Sequence, residues 1–206
     1  MLTALNYVEL EQKVRKKYIN ENQRVMGIVL AYYDDGLVRD LVDDFYMRWN
    51  RFTGYDFDMF WAGYGKAYSP YQGDGIKILE FDDNKDYIFF DSNKFYDIEK
   101  RIYANLAETY QGNPQIILLE CQNGKMIYDN YYIIDLEFDM KNDTFNYRMT
   151  NRLIHEITNV CRNSHNLEDV IRLFEEDEWK KYVKIVGKVV QFMVKGVQAT
   201  IESNIN

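Results

Sequence analysis

The stretch Asn113-Pro114-Gln-Ile-Ile-Leu-Leu-Glu-Cys-Gln-Asn123-Gly124-Lys-Met-Ile127 predicts a strand, a tight turn and a returning strand. Pro114 has no backbone N–H to donate, so it belongs at the first residue of a strand or just before it. Residues 116–119 are all apolar, which is typical of a strand covered on both faces of its sheet. Asn123-Gly124 favours a type I′ turn, which needs a positive φ at both positions. We therefore expect this hairpin inside a buried sheet.

The segments on either side of the hairpin alternate between strand and helix patterns. Apolar, β-branched runs predict strands, and apolar residues at helical spacing predict helices. The expected order is a helix at 3–18, a strand at 25–33, a helix at 36–52, a strand at 56–62, a second hairpin at 76–81 and 87–90, a helix at 92–110, the Pro114 hairpin, and helices at 142–161, 166–174 and 178–202. This order predicts an α/β protein whose first two central strands run parallel.

A strand opened by proline and closed by Asn-Gly resembles the third strand of the thioredoxin-like fold. The resemblance implies a mixed four-stranded central sheet in the order 4-3-1-2, with flanking helices, and a cis peptide bond before Pro114. It covers residues 25–165 as an α/β body, in which the hairpin at 76–90 is an insertion. Residues 1–24 form an N-terminal helix beside this body, and residues 166–206 form a helical C-terminal extension packed on it.

The expected thioredoxin-like fold is redox-inactive. In thioredoxins a C-x-x-C motif opens the helix after the first central strand, where the helix dipole activates a thiolate. The corresponding stretch here, Tyr32-Tyr33-Asp34-Asp35-Gly36-Leu37, contains no sulfur. Cys121 and Cys161 lie forty positions apart and are expected to be buried, free thiols.

Composition and charge restrict the surroundings of the protein. The net charge of −8 over 206 residues opposes non-specific binding to nucleic acid. Free thiols suit a reducing cytoplasm. The first residues lack the basic region of a signal peptide, and no apolar run reaches the roughly 20 residues of a transmembrane segment. We expect a cytoplasmic protein, and the abundance of Asn, Lys, Ile and Tyr indicates a bacterial or phage genome rich in A+T.

The glycine- and tyrosine-rich stretch 63–75 is the main candidate for binding. It lacks the spacing of a phosphate-binding loop, and an ordinary long connection is the alternative. Tyrosines supply contact area at small entropic cost, so we expect a partner-binding surface formed by Tyr64, Tyr68, Tyr71, Asn113 and Pro114. Because no complete catalytic set is visible, the predicted function is a non-catalytic protein-binding or regulatory module, without a cofactor, in a stress or defence system.

An enzyme is the competing hypothesis. Asp34 and Asp35 follow a central strand, where open α/β sheets bind ligands, and Asp91 is a third acid. Carboxylates suit Mg²⁺, so these residues indicate a Mg-dependent phosphotransferase or phosphohydrolase. The simpler interpretation is that Asp34 or Asp35 caps the next helix. His155, Cys161 and His165 are too few for a structural zinc site.

The predicted last helix, 178–202, is amphipathic and basic. Residues 179–206 hold five lysines and one acid. An apolar face this wide is expected to pack on the body, and it becomes a homodimer interface if the packing is between two chains. Attachment to an anionic membrane surface is the third alternative.

Overall fold

The fold is given by a computed structural model that describes residues 2–34, 38, 39, 42, 53, 56–67, 75–80, 87–135, 146–163, 166–175 and 184–188. These residues contain nine strands: β1 Leu2–Ala4, β2 Arg24–Leu30, β3 Asp58–Ala62, β4 Tyr64–Ala67, β5 Ile76–Glu80, β6 Tyr87–Phe90, β7 Gln115–Gln122, β8 Lys125–Asp135 and β9 Lys184–Lys188. They also contain four helices: α1 Tyr7–Tyr18, α2 Ser92–Leu106, α3 Asn146–Asn163 and α4 Leu167–Glu175. The predicted helix at 36–52 lies outside the described residues, apart from Val38, Arg39 and Val42, which are helical.

The larger sheet is mixed and has the strand order β1-β3-β2-β7-β8-β9. The four strands predicted from the sequence, β2, β3, β7 and β8, are neighbours in the order β8-β7-β2-β3. As expected, β2 and β3 are parallel, and β7 is antiparallel to β2 and β8. The prediction of four strands is wrong, because β1 and β9 extend the sheet to six.

The central hairpin has the turn that its sequence predicts. Asn123 has φ +50° and Gly124 has φ +75°, which confirms two positive φ angles in succession. Pro114 directly precedes β7, whose first residue, Gln115, pairs with Leu30 at the end of β2. None of the described peptide bonds is cis, so the cis bond implied by the resemblance is not found before Pro114. This end of β7 therefore lies beside the carboxyl end of β2.

The smaller sheet has the order β4-β6-β5 and is antiparallel. The predicted hairpin of β5 and β6 is confirmed. The prediction of one long loop over 63–75 is wrong for residues 64–67, which form β4 and pair with β6. Gly63 makes this connection with φ +79°, and its N–H donates to the backbone oxygen of Ala4 at 2.9 Å. The turn thus links the two sheets.

The N-terminal helix begins later than predicted. Residues 2–4 form β1 and pair in parallel with β3. Asn6 then caps α1, since its side-chain oxygen accepts a hydrogen bond from the N–H of Glu9 at 2.9 Å. Leu10, Val14 and Tyr18 recur at four-residue spacing and form a buried stripe along α1.

The prediction of a helix over 178–202 is wrong at residues 184–188. Lys184–Lys188 is strand β9, antiparallel to β8, and not part of a helix. The other residues of the predicted last helix lie outside the described residues. The homodimer interface predicted for that helix therefore cannot be helical over residues 184–188. The run Ile185-Val186 is β-branched, and Gly187 weakens a helix, which favours a strand where a sheet edge is available. None of the helices within the described ranges is long and apolar enough to cross a membrane.

Candidate aromatic binding surface

A layer of aromatic side chains lies at the carboxyl end of β2. Tyr32 lies two residues beyond this strand, and its ring meets the buried rings of Phe90 and Phe95 edge-on at centroid distances of 5.2 and 5.4 Å. Phe90 ends β6 and Phe95 lies at the start of α2, so the layer joins both sheets to this helix. Edge-to-face contacts favour one ring orientation. Since open α/β sheets bind ligands outside the carboxyl ends of strands, this layer is the candidate site.

Tyr96 is the most exposed ring of this layer. Its relative accessibility is 52 %, which is high for a large aromatic side chain. The ring nevertheless lies 5.6 Å from Tyr32, tilted by 39°, and 5.6 Å from Phe95, at 78°. Partial burial and the adjacent Tyr32 raise the pKa of Tyr96 above its ordinary value. Tyr96 therefore offers a large aromatic area to a partner from a position held by two neighbouring rings.

The layer continues to the start of β7 through two more tyrosines. The ring of Tyr110 lies 6.2 Å from Phe95 and 5.6 Å from Tyr103. The buried hydroxyl of Tyr103 donates a hydrogen bond to the side-chain oxygen of Gln115, which directly follows Pro114. The partly or largely exposed tyrosines of this layer are Tyr32, Tyr96 and Tyr110, and we call these three residues the aromatic surface.

Glu99 lies on the same side of α2 as the aromatic surface. It is three residues after Tyr96 and four before Tyr103, the spacings that bring side chains together on a helix. The opposite side of α2 faces α1, where the carboxylate of Asp97 accepts a hydrogen bond from the N–H of Tyr7 at 3.1 Å. Burial raises the pKa of Glu99, and the nearby Lys100 offsets part of that effect. The site thus combines aromatic rings with a partly buried carboxylate.

The partner-binding residues predicted from the sequence are only partly brought together here. Asn113 and Pro114 are partly buried and lie next to Gln115, at the edge of the aromatic surface. Tyr64 is fully buried, so the prediction that it is an exposed contact is wrong. Its position in β4 turns the ring into the core, 5.4 Å from Trp61 and 5.0 Å from Phe90. Tyr68 and Tyr71 lie outside the described residues.

The three acids of the magnesium hypothesis have different surroundings. Asp91 is buried and caps α2, because its carboxylate accepts a hydrogen bond from the N–H of Lys94 at 3.1 Å. Asp34 is exposed beyond Tyr32, and Asp35 lies outside the described residues. Within the part of the chain that the structure describes, no group of three or more His, Cys, Asp or Glu is placed to hold a metal ion.

The sulfur atoms take no part in the site. Cys121 and Cys161 are free and buried, as predicted. Burial raises the pKa of Cys121 to about 11 and that of Cys161 to about 12. Thiols with such pKa values carry little thiolate at neutral pH, and thiolate is the reactive form. His155 is exposed on α3, and His165 lies outside the described residues.

Comparisons with known proteins add no family to this picture. No protein-family model, no curated protein and no solved structure matches the chain. We therefore infer the function from the geometry of the site.

Sequence reasoning missed all three residues of the aromatic surface. Tyr32, Tyr96, Glu99 and Tyr110 were not among the predicted binding residues. A signal was present in α2, because Tyr96 falls outside the buried apolar stripe that Ile98, Ile102 and Leu106 form at helical spacing. An aromatic residue outside the buried stripe of an amphipathic helix indicates an exposed ring.

Proposed function

We propose that this chain is a non-catalytic protein-binding or regulatory module whose contact surface is the aromatic surface. The observation that carries the proposal is the position of Tyr96, which is half-exposed and in contact with the rings of Tyr32 and Phe95. A tyrosine held in place before binding loses little conformational entropy when a partner covers it. Tyrosine is also one of the residues most often found at the energetic centre of protein interfaces.

The scaffold in this proposal is a redox-inactive thioredoxin-like sheet. Support comes from the strand order β8-β7-β2-β3 and from the position of Pro114 beside the carboxyl end of β2. The stretch from Tyr32 to Leu37 has no cysteine, so the chemistry usual at that place in thioredoxins is missing. Tyrosines lie at this end of the sheet instead of the cysteines.

The partner in this proposal is another protein. Tyr32, Tyr96 and Tyr110, with Asn113 and Pro114 at the edge, combine aromatic area with polar groups, which is typical of protein interfaces. A bacterial or phage cytoplasm, in a stress or defence system, remains the setting that we propose on composition and free thiols.

The proposal is tested by photo-crosslinking in the source cell. A benzophenone amino acid at position 96 is expected to form one dominant adduct with a partner protein. The same amino acid at Asn105, which is exposed and lies about 180° around α2 from Tyr96, is expected to form none. Equal adduct patterns from the two positions would reject the aromatic surface as the contact.

The identified partner then allows an affinity measurement with the purified proteins. Tyr96→Ala is expected to weaken the complex by about 30-fold, the loss usual for a tyrosine at the centre of an interface. Ile76→Ala is the matched control, because Ile76 has the same relative accessibility of 52 % but lies on β5 of the smaller sheet. A loss of less than twofold for Tyr96→Ala, or equal losses for both variants, would contradict the proposal.

A further inference from the structure

A carboxylate, that of Glu99, lies three residues after Tyr96 on α2, beside the aromatic surface. Glu99 is partly buried between the positions of Tyr96 and Tyr103 along α2. No residue in the described part of the chain forms a hydrogen bond or an ion pair with it, although Lys100 is its neighbour in sequence. Partial burial disfavours the ionised carboxylate, Lys100 offsets part of that cost, and a further cation would offset more of it.

The rings of Tyr32 and Tyr96 are also suited to binding a cation. Tyr32 and Tyr96 lie 5.6 Å apart and are tilted by 39°, so their faces are not stacked flat on one another. A lysine or arginine cation within about 6 Å of a tyrosine ring is attracted by its π electrons. The chain already makes this contact elsewhere, with Arg101 over the Tyr7 ring and Lys77 over the Tyr87 ring, each at 5.3 Å.

The net charge of the chain points in the same direction. Asp34 is exposed two residues beyond Tyr32, and the whole chain has a net charge of −8. An acidic protein attracts a basic partner over distances longer than direct contact, which raises the association rate. Aromatic faces and a partly buried carboxylate favour a cationic occupant over a neutral or acidic one.

We propose that the aromatic surface binds a lysine or arginine side chain of the partner protein, with Glu99 as its counter-charge and the rings of Tyr32 and Tyr96 as its walls. This inference rests on the proposed function and specifies the partner as a protein with an exposed basic segment. Tyr110 and Pro114 contact the apolar part of that segment.

The probes are three peptides of equal length, with four repeats of Gly-Ser-Lys, of Gly-Ser-norleucine or of Gly-Ser-Glu. Norleucine keeps the apolar stem of lysine and lacks the charge, so it separates cation recognition from apolar docking. Binding to the full-length protein is measured by NMR shifts of the Tyr96, Glu99 and Tyr110 amides. The lysine peptide is expected to bind about fivefold or more tightly than the norleucine peptide, from the cation–π and ion-pair contributions. The glutamate peptide is expected to give no saturating shifts.

A matched pair of variants tests the role of Glu99. Glu99→Gln and Glu168→Gln each remove one negative charge, but Glu168 is exposed on α4, away from this site. Glu99→Gln is expected to remove most of the preference for lysine over norleucine, while Glu168→Gln leaves it unchanged. Tyr96→Phe is expected to keep the preference, and Tyr96→Ala to lose it.

Two results would contradict this inference. Equal binding of the lysine and norleucine peptides, or equal losses for Glu99→Gln and Glu168→Gln, would overturn the cation site. Neither result would affect the crosslink from position 96, so failure of this inference is distinguishable from failure of the proposed function.

Discussion

The hydroxyl of Tyr64 donates a hydrogen bond to the backbone oxygen of Ala31 at a distance of 2.8 Å, in a fully buried position. Tyr64 belongs to the smaller sheet, and Ala31 directly follows β2 of the larger one. The Tyr64 ring also packs against Phe90, which lies under Tyr32. This contact therefore fixes the chain segment that carries Tyr32, although Tyr64 itself is not exposed.

Removal of this hydroxyl gives the first prediction. Tyr64→Phe keeps the ring but leaves the Ala31 carbonyl buried without this donor, which costs about 1–3 kcal/mol in the free energy of unfolding. Tyr64→Ala also removes the ring and is expected to cost about 3–5 kcal/mol. Urea unfolding followed by circular dichroism measures both. The control is Tyr96→Phe, which removes a hydroxyl from a half-exposed ring and is expected to change stability by less than about 0.5 kcal/mol. Equal stability of Tyr64→Phe and the wild type would contradict the buried bond.

The turn of the central hairpin gives the second prediction. Two features of Gly124 require a glycine there, its positive φ and its closeness to α1. Gly124 has φ +75°, and a Cβ atom there would lie 3.0 Å from the backbone of Arg15 in α1. Gly112 has φ +85° but open space around a Cβ atom. Gly112→Ala is therefore expected to cost about 1–2 kcal/mol from backbone conformation alone. Gly124→Ala adds crowding against α1, for a further cost of about 1–3 kcal/mol.

Thermal or urea unfolding of both glycine variants separates the two contributions. A smaller loss of stability for Gly124→Ala than for Gly112→Ala would show that the turn does not pack on α1. Asn123 supports the close approach, because its N–H donates to the backbone oxygen of Glu21, just after α1, at 2.9 Å.

Local chemistry made the central part of the fold predictable. A proline that cannot donate, an apolar run and an Asn-Gly pair each restrict the backbone within a few residues, so β7, its turn and β8 follow from the sequence. The α1 and α2 stripes follow from helical spacing in the same way. These features need no knowledge of distant parts of the chain.

The errors arise where pairing partners are far apart in sequence. The three residues of β1 pair with residues 60–62 of β3, and β9 pairs with β8 about fifty positions earlier. No short-range signal in residues 2–4 distinguishes an edge strand from the first turn of a helix. Tyr64 was assigned to a loop for the same reason, since its glycine neighbours are typical of turns while β4 exists through its pairing with β6.

The candidate site was half predictable. The sequence identified Asn113, Pro114 and the carboxyl end of β2, because strand ends follow from the strand pattern. It did not identify Tyr96 or Glu99. The side of α2 on which they lie is set by the packing of its opposite side against α1, and the sequence does not show that packing. The contact of Asp97 with the N–H of Tyr7 reveals that packing only in three dimensions.

The pH dependence of stability gives the third prediction, and it isolates Glu99. Burial raises the pKa of Glu99 above 4.5, its ordinary value, so between 4.5 and the raised pKa the folded protein binds more protons at this site than the unfolded chain. The contribution of Glu99 to the free energy of unfolding is then fully present below pH 4.5 and is lost as the pH rises through the folded-state pKa. Ionised Glu99 therefore destabilises the free protein at neutral pH.

Glu99→Gln removes this titration and keeps the shape of the side chain. We expect the variant and the wild type to have nearly equal unfolding free energies at acidic pH, where Glu99 is protonated, and the variant to be the more stable at neutral pH. Urea unfolding at a series of pH values measures the difference, and Glu168→Gln corrects for the change in net charge. A difference that is independent of pH, or that favours the wild type at neutral pH, would show that the carboxylate is compensated within the chain. In that case Glu99 would have no need of a cation from a partner.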